Sequence, residues 1–174
     1  MSAAPGRSQA SSHRSPQGEG TPVNPPVHAP SSAPVLFVAE PPAQYLPRSP
    51  MVVDCSALAG VLFQEPWMDQ ALQRLSGHRL YAPHLLQAEI CSVAVKKARQ
   101  GAAEAAAVGL EQWQSVAVEL TDFDVEQTFA LAQRYQLSAY DASYLWLAEQ
   151  LRCPLATFDA QLAAAATVHL GALD

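Results

Sequence analysis

An α/β sandwich, in which helices cover both faces of a mostly parallel sheet, is the fold class this sequence predicts. Three observations carry that expectation. From Met51 onward, short apolar runs of strand length alternate with longer segments of helical period, the pattern of β-α units. The first such run, Met51-Val52-Val53, ends on an acid, Asp54, and a helical segment follows at once. About half of the 174 residues are apolar, enough for one domain with a proper core but not for two.

Residues 1–50 stand apart. They hold eleven of the fourteen prolines, with much serine, alanine and glycine and no sustained period. Such a segment cannot bury enough surface to offset its ordering entropy, so it reads as a disordered extension. No P-x-x-P repeat with flanking basic residues marks it as a ligand, and Met51 could itself serve as a start. The folded domain is expected over residues 51–174.

Within that domain, Met51 to Val53 reads as a parallel-type strand. Ser56 suits the N-cap of a helix over 57–63, and Pro66 suits the first turn of a second helix that stops at Gly77. Arg79 to Ala82 is the second strand. Pro83 is taken to open a long helix reaching Gln100, and Ala102 to Trp113 reads as another despite Gly109. Val116 to Leu120 makes a third strand. Asp122 or Asp124 then caps a helix whose Val125, Phe129, Ala132 and Tyr135 share a face. The segment SAYDASYLWLAEQL follows, with Tyr144, Leu145, Leu147, Ala148 and Leu151 at core spacing. Pro154 marks its end, Leu155 to Phe158 reads as a brief buried strand leading to Asp159, 160–166 as a short helix, and Val168-His169-Leu170 as a last strand.

The formal charge is −6 and no lysine- or arginine-rich tract is present, so wholesale electrostatic attraction to nucleic acid is not expected. Any such contact must be local or metal-mediated. Cys55, Cys91 and Cys153 lack C-x-x-C spacing and lie in apolar surroundings, which suits reduced thiols packed as small hydrophobes in a reducing compartment. The longest apolar stretch near the N-terminus, Ala33 to Ala39, is interrupted by Pro34 and far too short to span a bilayer.

Four acids stand out. In a parallel sheet the carboxyl ends of the strands form the ligand-binding edge. Asp54 and Asp159 follow strands directly and Asp141 lies at a helix start, so the three could converge there. Glu89 falls inside the apolar stripe Leu86, Ile90, Val93, and the residue four positions on is Val93, so no lysine pairs with it along the helix. A divalent cation would compensate such a carboxylate. Three of the four also have a plainer explanation: Asp54 as a turn residue, Asp159 as an N-cap, Ser138-x-x-Asp141 as a capping box. Glu65, Glu104, Glu111, Glu126 and Glu149 read as solvated helix faces. Lys96, Lys97 and Arg99 close the Glu89 helix, either as a solvated end complementing its dipole or as a source of phosphate affinity. No His-x-x-x-His, Cys-His set, G-x-x-x-x-G-K or G-x-G-x-x-G is present, and Ser56 has no histidine at a telling spacing.

The blocks VVDCSAL, YAPHLLQAEICSV, LSAYDASYLWLAEQL and PLATFDAQLAAAA resemble, in order and approximate spacing, the PIN-domain ribonucleases and among them the VapC-like toxins of toxin–antitoxin pairs. The resemblance runs from Met51 to the C-terminus. It implies a three-layer α/β/α, PIN-like domain that hydrolyses RNA phosphodiester bonds with Mg²⁺ or Mn²⁺. Asp54, Glu89 and Asp141 would match the central metal-site and catalytic acids, Asp159 the more variable fourth, and Ser56 and Thr157 supporting hydroxyls. RNA would be the substrate, an antitoxin protein the inhibitor, a homodimer the assembly and the cytoplasm the compartment, with no membrane partner. Ser92 departs from the family, where asparagine is frequent, and so does the long tail.

Other classes are a catalytically idle PIN-like binding module, a metal-dependent phosphatase, and a plain dimeric scaffold. The first would have lost acids, and all four are kept. A phosphatase of the haloacid-dehalogenase type would want an aspartate at position 56, where this chain has serine. The scaffold leaves Glu89 unexplained.

Overall fold

Val52 and Val53 are fully buried and sit at the centre of a four-stranded, wholly parallel sheet. The computed structural model describes residues 48–173. In it β1 (Pro50–Val53), β2 (Arg79–Pro83), β3 (Val118–Thr121) and β4 (Leu155–Ala156) are ordered β3-β2-β1-β4. Val52 faces Tyr81 on one side and Leu155 on the other, so β1 lies between two neighbours and is apolar throughout its inner length, as a doubly covered strand must be.

Seven helices separate and follow the strands: α1 (Cys55–Leu62), α2 (Met68–Leu75), α3 (Leu86–Arg99), α4 (Ala103–Trp113), α5 (Val125–Tyr135), α6 (Ala139–Leu151) and α7 (Ala160–Leu170). The helices α1 to α4 pack on one another, as do α5 to α7, giving a three-layer α/β/α sandwich. Helix α6 lies across β1 and β2, burying Ala142, Leu145 and Ala148 completely. This is the stripe that SAYDASYLWLAEQL predicts. Gly109 has a packing reason: a Cβ there would overlap the Phe63 ring, so α4 can lie against the end of α1 only without a side chain.

Several boundaries differ from the sequence expectation. Asp54, not Ser56, caps α1, and the helix starts two residues earlier than expected. Pro83 ends β2 rather than opening a helix, because its fixed φ also suits an extended chain, and α3 begins at Leu86. Asp124 is the cap of α5, yet Val125 and Phe129 are exposed; the buried face is Thr128, Leu131 and Ala132. Strand β4 has two residues, not four. Val168 to Leu170 form no strand: α7 runs unbroken to Leu170, its alanine-rich first turns propagating through one β-branched pair. Cys91 is exposed, while Cys153 is buried and Cys55 partly so. Glu65 and Glu149 are not solvated faces, since they pair with Lys97 at 2.6 Å and His169 at 3.1 Å. The expected disorder of residues 1–50 lies outside the described residues except at its end, where Ser49 already accepts a hydrogen bond from Arg79 N–H at 3.0 Å and Pro50 opens β1.

Candidate active site

Because all four strands run in the same direction, β1 and β4 deliver Asp54 and Thr157 to one edge of the sheet. Asp54 is 5 % exposed, and its carboxylate is held from three sides. Ala57 N–H donates to it at 3.0 Å, Ser56 Oγ at 2.8 and 2.9 Å to its two oxygens, and Thr157 Oγ1 at 2.8 Å. Ser56 in turn accepts from Phe158 N–H at 2.8 Å, and Thr157 accepts from Asp159 N–H at 2.9 Å. The two expected hydroxyls therefore lock Asp54 and tie β1 to the chain leaving β4. Burial pushes the Asp54 carboxyl above its ordinary value, and these donors pull it part of the way back.

Glu89, in the first turn of α3, is half-buried. Its partner is Tyr144 of α6, whose hydroxyl donates to Oε2. Burial raises the Glu89 carboxyl, the Tyr144 bond lowers it, and the negative charges of Asp54 and Asp141 raise it again. Tyr144 is driven above the usual phenol range, by burial first and then by Glu89, so it stays a donor. The Cys55 thiol is pushed up to about 12 by burial and by the charges of Glu89 and Asp54, and it stays protonated.

Three of the acids have local roles as well, those of Asp159 and Asp141 as expected and that of Asp54 as a helix cap rather than a turn residue. Asp54 caps α1, Asp159 caps α7 through a 2.8 Å bond from Leu162 N–H, and Asp141 N–H donates to Ser138 Oγ at 3.0 Å. Ser138 Oγ returns a 2.7 Å bond to the Asp141 carboxylate, a capping box in modified form. What local structure does not explain is the company they keep. The charges of Asp54 and Asp141 both raise Glu89, and no cation is among the groups that shift Asp54 or Glu89. Asp159 is exposed and joins the site through its backbone bond to Thr157 rather than through its carboxylate.

Whether this set suits a divalent ion is answered by its chemistry. As they stand, no three His, Cys, Asp or Glu side chains among the described residues are grouped closely enough to hold one ion between them. The donors are nevertheless all hard oxygens, and Mg²⁺ requires one or two carboxylates with water completing its shell. A carboxylate pair whose charges are unneutralised and whose geometry is held by hydroxyls fits such an ion.

Tyr144 is the residue that sequence reasoning missed, having been assigned to the core of α6. A signal was present in two halves. A tyrosine on a buried stripe needs a partner for its hydroxyl, and a glutamate on an apolar stripe needs a donor. Ser92, the departure from the family pattern, bonds back to Ala88 O at 2.8 Å on its own helix and takes no part in the network around Glu89.

The PIN domain family profile matches residues 51–168. The VapC ribonuclease Mb0985 of Mycobacterium bovis is 40 % identical over 117 residues, 64 % of this chain and 87 % of that protein. Ribonuclease VapC9 of Mycobacterium tuberculosis matches to the same extent. Ribonuclease VapC3 of Pyrobaculum aerophilum is 32 % identical over 120 residues, 65 % of this chain and 92 % of that protein. Among solved structures, PAE2754 from Pyrobaculum aerophilum superposes with a TM-score of 0.54 at 26 % identity, covering 72 % of this chain and 98 % of the other. A family profile spanning most of the chain and a 40 % identical relative agree with the four-stranded parallel sheet, and on that ground the chain belongs to the PIN domain family, in its VapC-like branch.

Proposed function

We propose that this chain is a metal-dependent endoribonuclease, the toxin of a toxin–antitoxin pair, with Asp54, Glu89 and Asp141 holding Mg²⁺ or Mn²⁺ and Asp159 at the rim. The observation that carries the reading is a half-buried Glu89 carboxyl raised by burial and by the charges of Asp54 and Asp141, beside a buried Asp54, with no cation among the groups that shift either. The ribonuclease names of the similar proteins support the reaction class. A bound divalent ion would supply a more acidic water and shielding of phosphate charge for in-line hydrolysis of a phosphodiester.

The chain's own residues do the rest. Ser56, Thr157 and the Ala57 N–H keep the Asp54 carboxylate oriented and favour its ionised form. Tyr144, on α6, does the same for Glu89 on α3. Cys55, protonated at neutral pH, offers no competing thiolate ligand.

RNA is the proposed substrate, a cognate antitoxin the inhibitor, a homodimer the assembly and the cytoplasm the compartment. Three free thiols suit a reducing compartment, and no helix among the described residues is long and apolar enough to cross a membrane. Incubation of the full chain with total RNA in Mn²⁺, Mg²⁺ and EDTA tests the reading. Fragments are expected with either ion and none in EDTA or from Asp54→Asn. Cleavage indifferent to EDTA and to that substitution would overturn it, and turnover of p-nitrophenyl phosphate without RNA cleavage would transfer the assignment to a phosphatase.

A further inference from the structure

We infer that α3 is a track for single-stranded RNA, with Lys96 and Arg99 holding backbone phosphate and Tyr140 stacking on a base beside the reacting phosphate; this rests on the nuclease reading above. The starting point is the sorting of three neighbouring cations. Lys97 is committed to structure: its ammonium lies 2.6 Å from Glu65 and 5.7 Å from the centre of the Phe63 ring, and it is largely covered. Lys96 and Arg99 are exposed, and neither forms an ion pair among the described residues. A helix end that only needed its dipole complemented would be served by Lys97 alone.

Their placement is directional. At 100° per residue, Glu89, Ser92, Lys96 and Arg99 fall on one stripe of α3, whereas Lys97 points toward α1. Lys96 lies about 10 Å along the axis from Glu89. One groove, of about 440 Å³, contains Cys55, Glu89, Ser92 and Tyr140. A second, of about 450 Å³, contains Ser92, Lys96 and Arg99. Ser92 belongs to both, so the acidic site and the two free cations lie on one continuous surface channel.

Tyr140 supplies the second kind of contact. It is 64 % exposed and stands next to Asp141 in the first turn of α6, and its side chain makes no hydrogen bond or ring contact among the described residues. An exposed ring at the lip of a groove with cations further along is the arrangement that binds unpaired bases, since stacking needs a free base face and duplex bases have none. The alternation of acid, polar and basic groups along one stripe suits a phosphate chain whose reacting member meets an ion at Glu89 and whose neighbours meet Lys96 and Arg99.

The test separates binding from cleavage. Anisotropy titrations would use a fluorescein-labelled, random-sequence single-stranded 12-mer RNA and its duplex, with the full chain and Ca²⁺, across a salt series. Each single-strand phosphate contact adds about 0.7 to the slope of log K against log salt, so Lys96→Ala/Arg99→Ala should lower that slope by about 1.4. Tyr140→Ala should weaken single-strand binding about tenfold without changing the slope, and Tyr140→Phe should restore it because the ring is kept. Duplex binding should not respond to Tyr140. A slope and affinity unchanged by the double substitution, or a Tyr140→Phe protein as weak as Tyr140→Ala, would overturn the track. So would variants that bind RNA normally but lose inhibition by a co-expressed antitoxin, which would assign the channel to a protein partner. A wild-type chain that binds RNA through these residues but cleaves none in Mn²⁺ would leave the track standing and sink the nuclease reading.

Discussion

The two ends of α6 carry buried ionisable clusters of opposite character. At the C-terminal end Glu149 meets His169 at 3.1 Å, and the other nitrogen of His169 lies 3.1 Å from the Tyr135 hydroxyl. Charge there has a partner of opposite potential sign. At the N-terminal end the charge of Asp141 bears on Glu89, and the groups that shift Asp54 and Glu89 are hydroxyls, backbone N–H groups and other acids. The two clusters are comparably hidden, His169 at 8 % exposure and Asp54 at 5 %. Both recruit a tyrosine. The difference teaches where this fold leaves its acids alone: the helix-joining Glu149 has an imidazole nitrogen beside it, whereas Glu89 has other acids near it, at the strand-end edge where sheets of this kind bind ligands.

Activity should break the comparison most sharply. Asp54→Asn is expected to lower RNA cleavage by more than about 100-fold, whereas Glu149→Gln should leave it near wild type; gel assays in Mn²⁺ with both proteins decide this. Equal losses would mean that the two clusters do not differ in kind. Tyr144→Phe, which removes the donor to Glu89 but keeps the ring, should lower cleavage about tenfold and shift the dependence on Mn²⁺ concentration upward, as read from metal titrations of the rate.

Stability should show the same contrast with opposite signs. In EDTA at neutral pH, Asp54→Asn should melt about 3 °C higher than wild type, because a neutral side chain keeps the cap and removes a desolvated buried charge. Glu149→Gln should melt about 3 °C lower, because His169 loses its anionic partner. The pH dependence follows from the raised carboxyls. Asp54 and Glu89 bind protons more readily folded than unfolded, so this part of the stability is present at acid pH. It is lost as pH rises from the ordinary values of 3.8 and 4.5 through the higher folded ones. Metal-free wild type should therefore gain more melting temperature than Asp54→Asn when pH is lowered from neutrality toward that window. Parallel melting curves would contradict the assignment of a buried-charge penalty to Asp54. The smallest effect is expected from removing residues 1–47, which should leave the melting temperature within about 1 °C; the cut belongs before Arg48 because Ser49 and Pro50 already engage β2.

Much of the site was legible because Asp54 ends an apolar run and Glu89 interrupts one, and both are departures from periodicity that a sequence displays directly. The hydroxyls of Ser56 and Thr157 came through family resemblance, and the structure places both on Asp54. Tyr144 was not legible as a partner because its spacing matched the core stripe, and its contact with Glu89 spans 55 residues. The face of α5 was misassigned for a related reason. Val125 and Phe129 are as apolar as Leu131, and periodicity alone does not say which of two apolar stripes packs against α6. Val168 to Leu170 looked like a strand because β-branched composition outweighs helix continuity over three residues, while in the fold the hydrogen bonds of α7 simply carry on through them.

The brevity of β4 has a further consequence. It forms one border of the sheet with two residues, and the residue before it is a proline that has no N–H to offer. A strand arriving from another molecule would find almost no ladder to extend there, and at the opposite border β3 presents Glu119, paired with Arg79 at 2.6 Å, in the middle of four residues. Both borders are thus poor templates for cross-β growth. The folded sheet therefore offers a second molecule little to pair with at either border, which limits edge-to-edge aggregation.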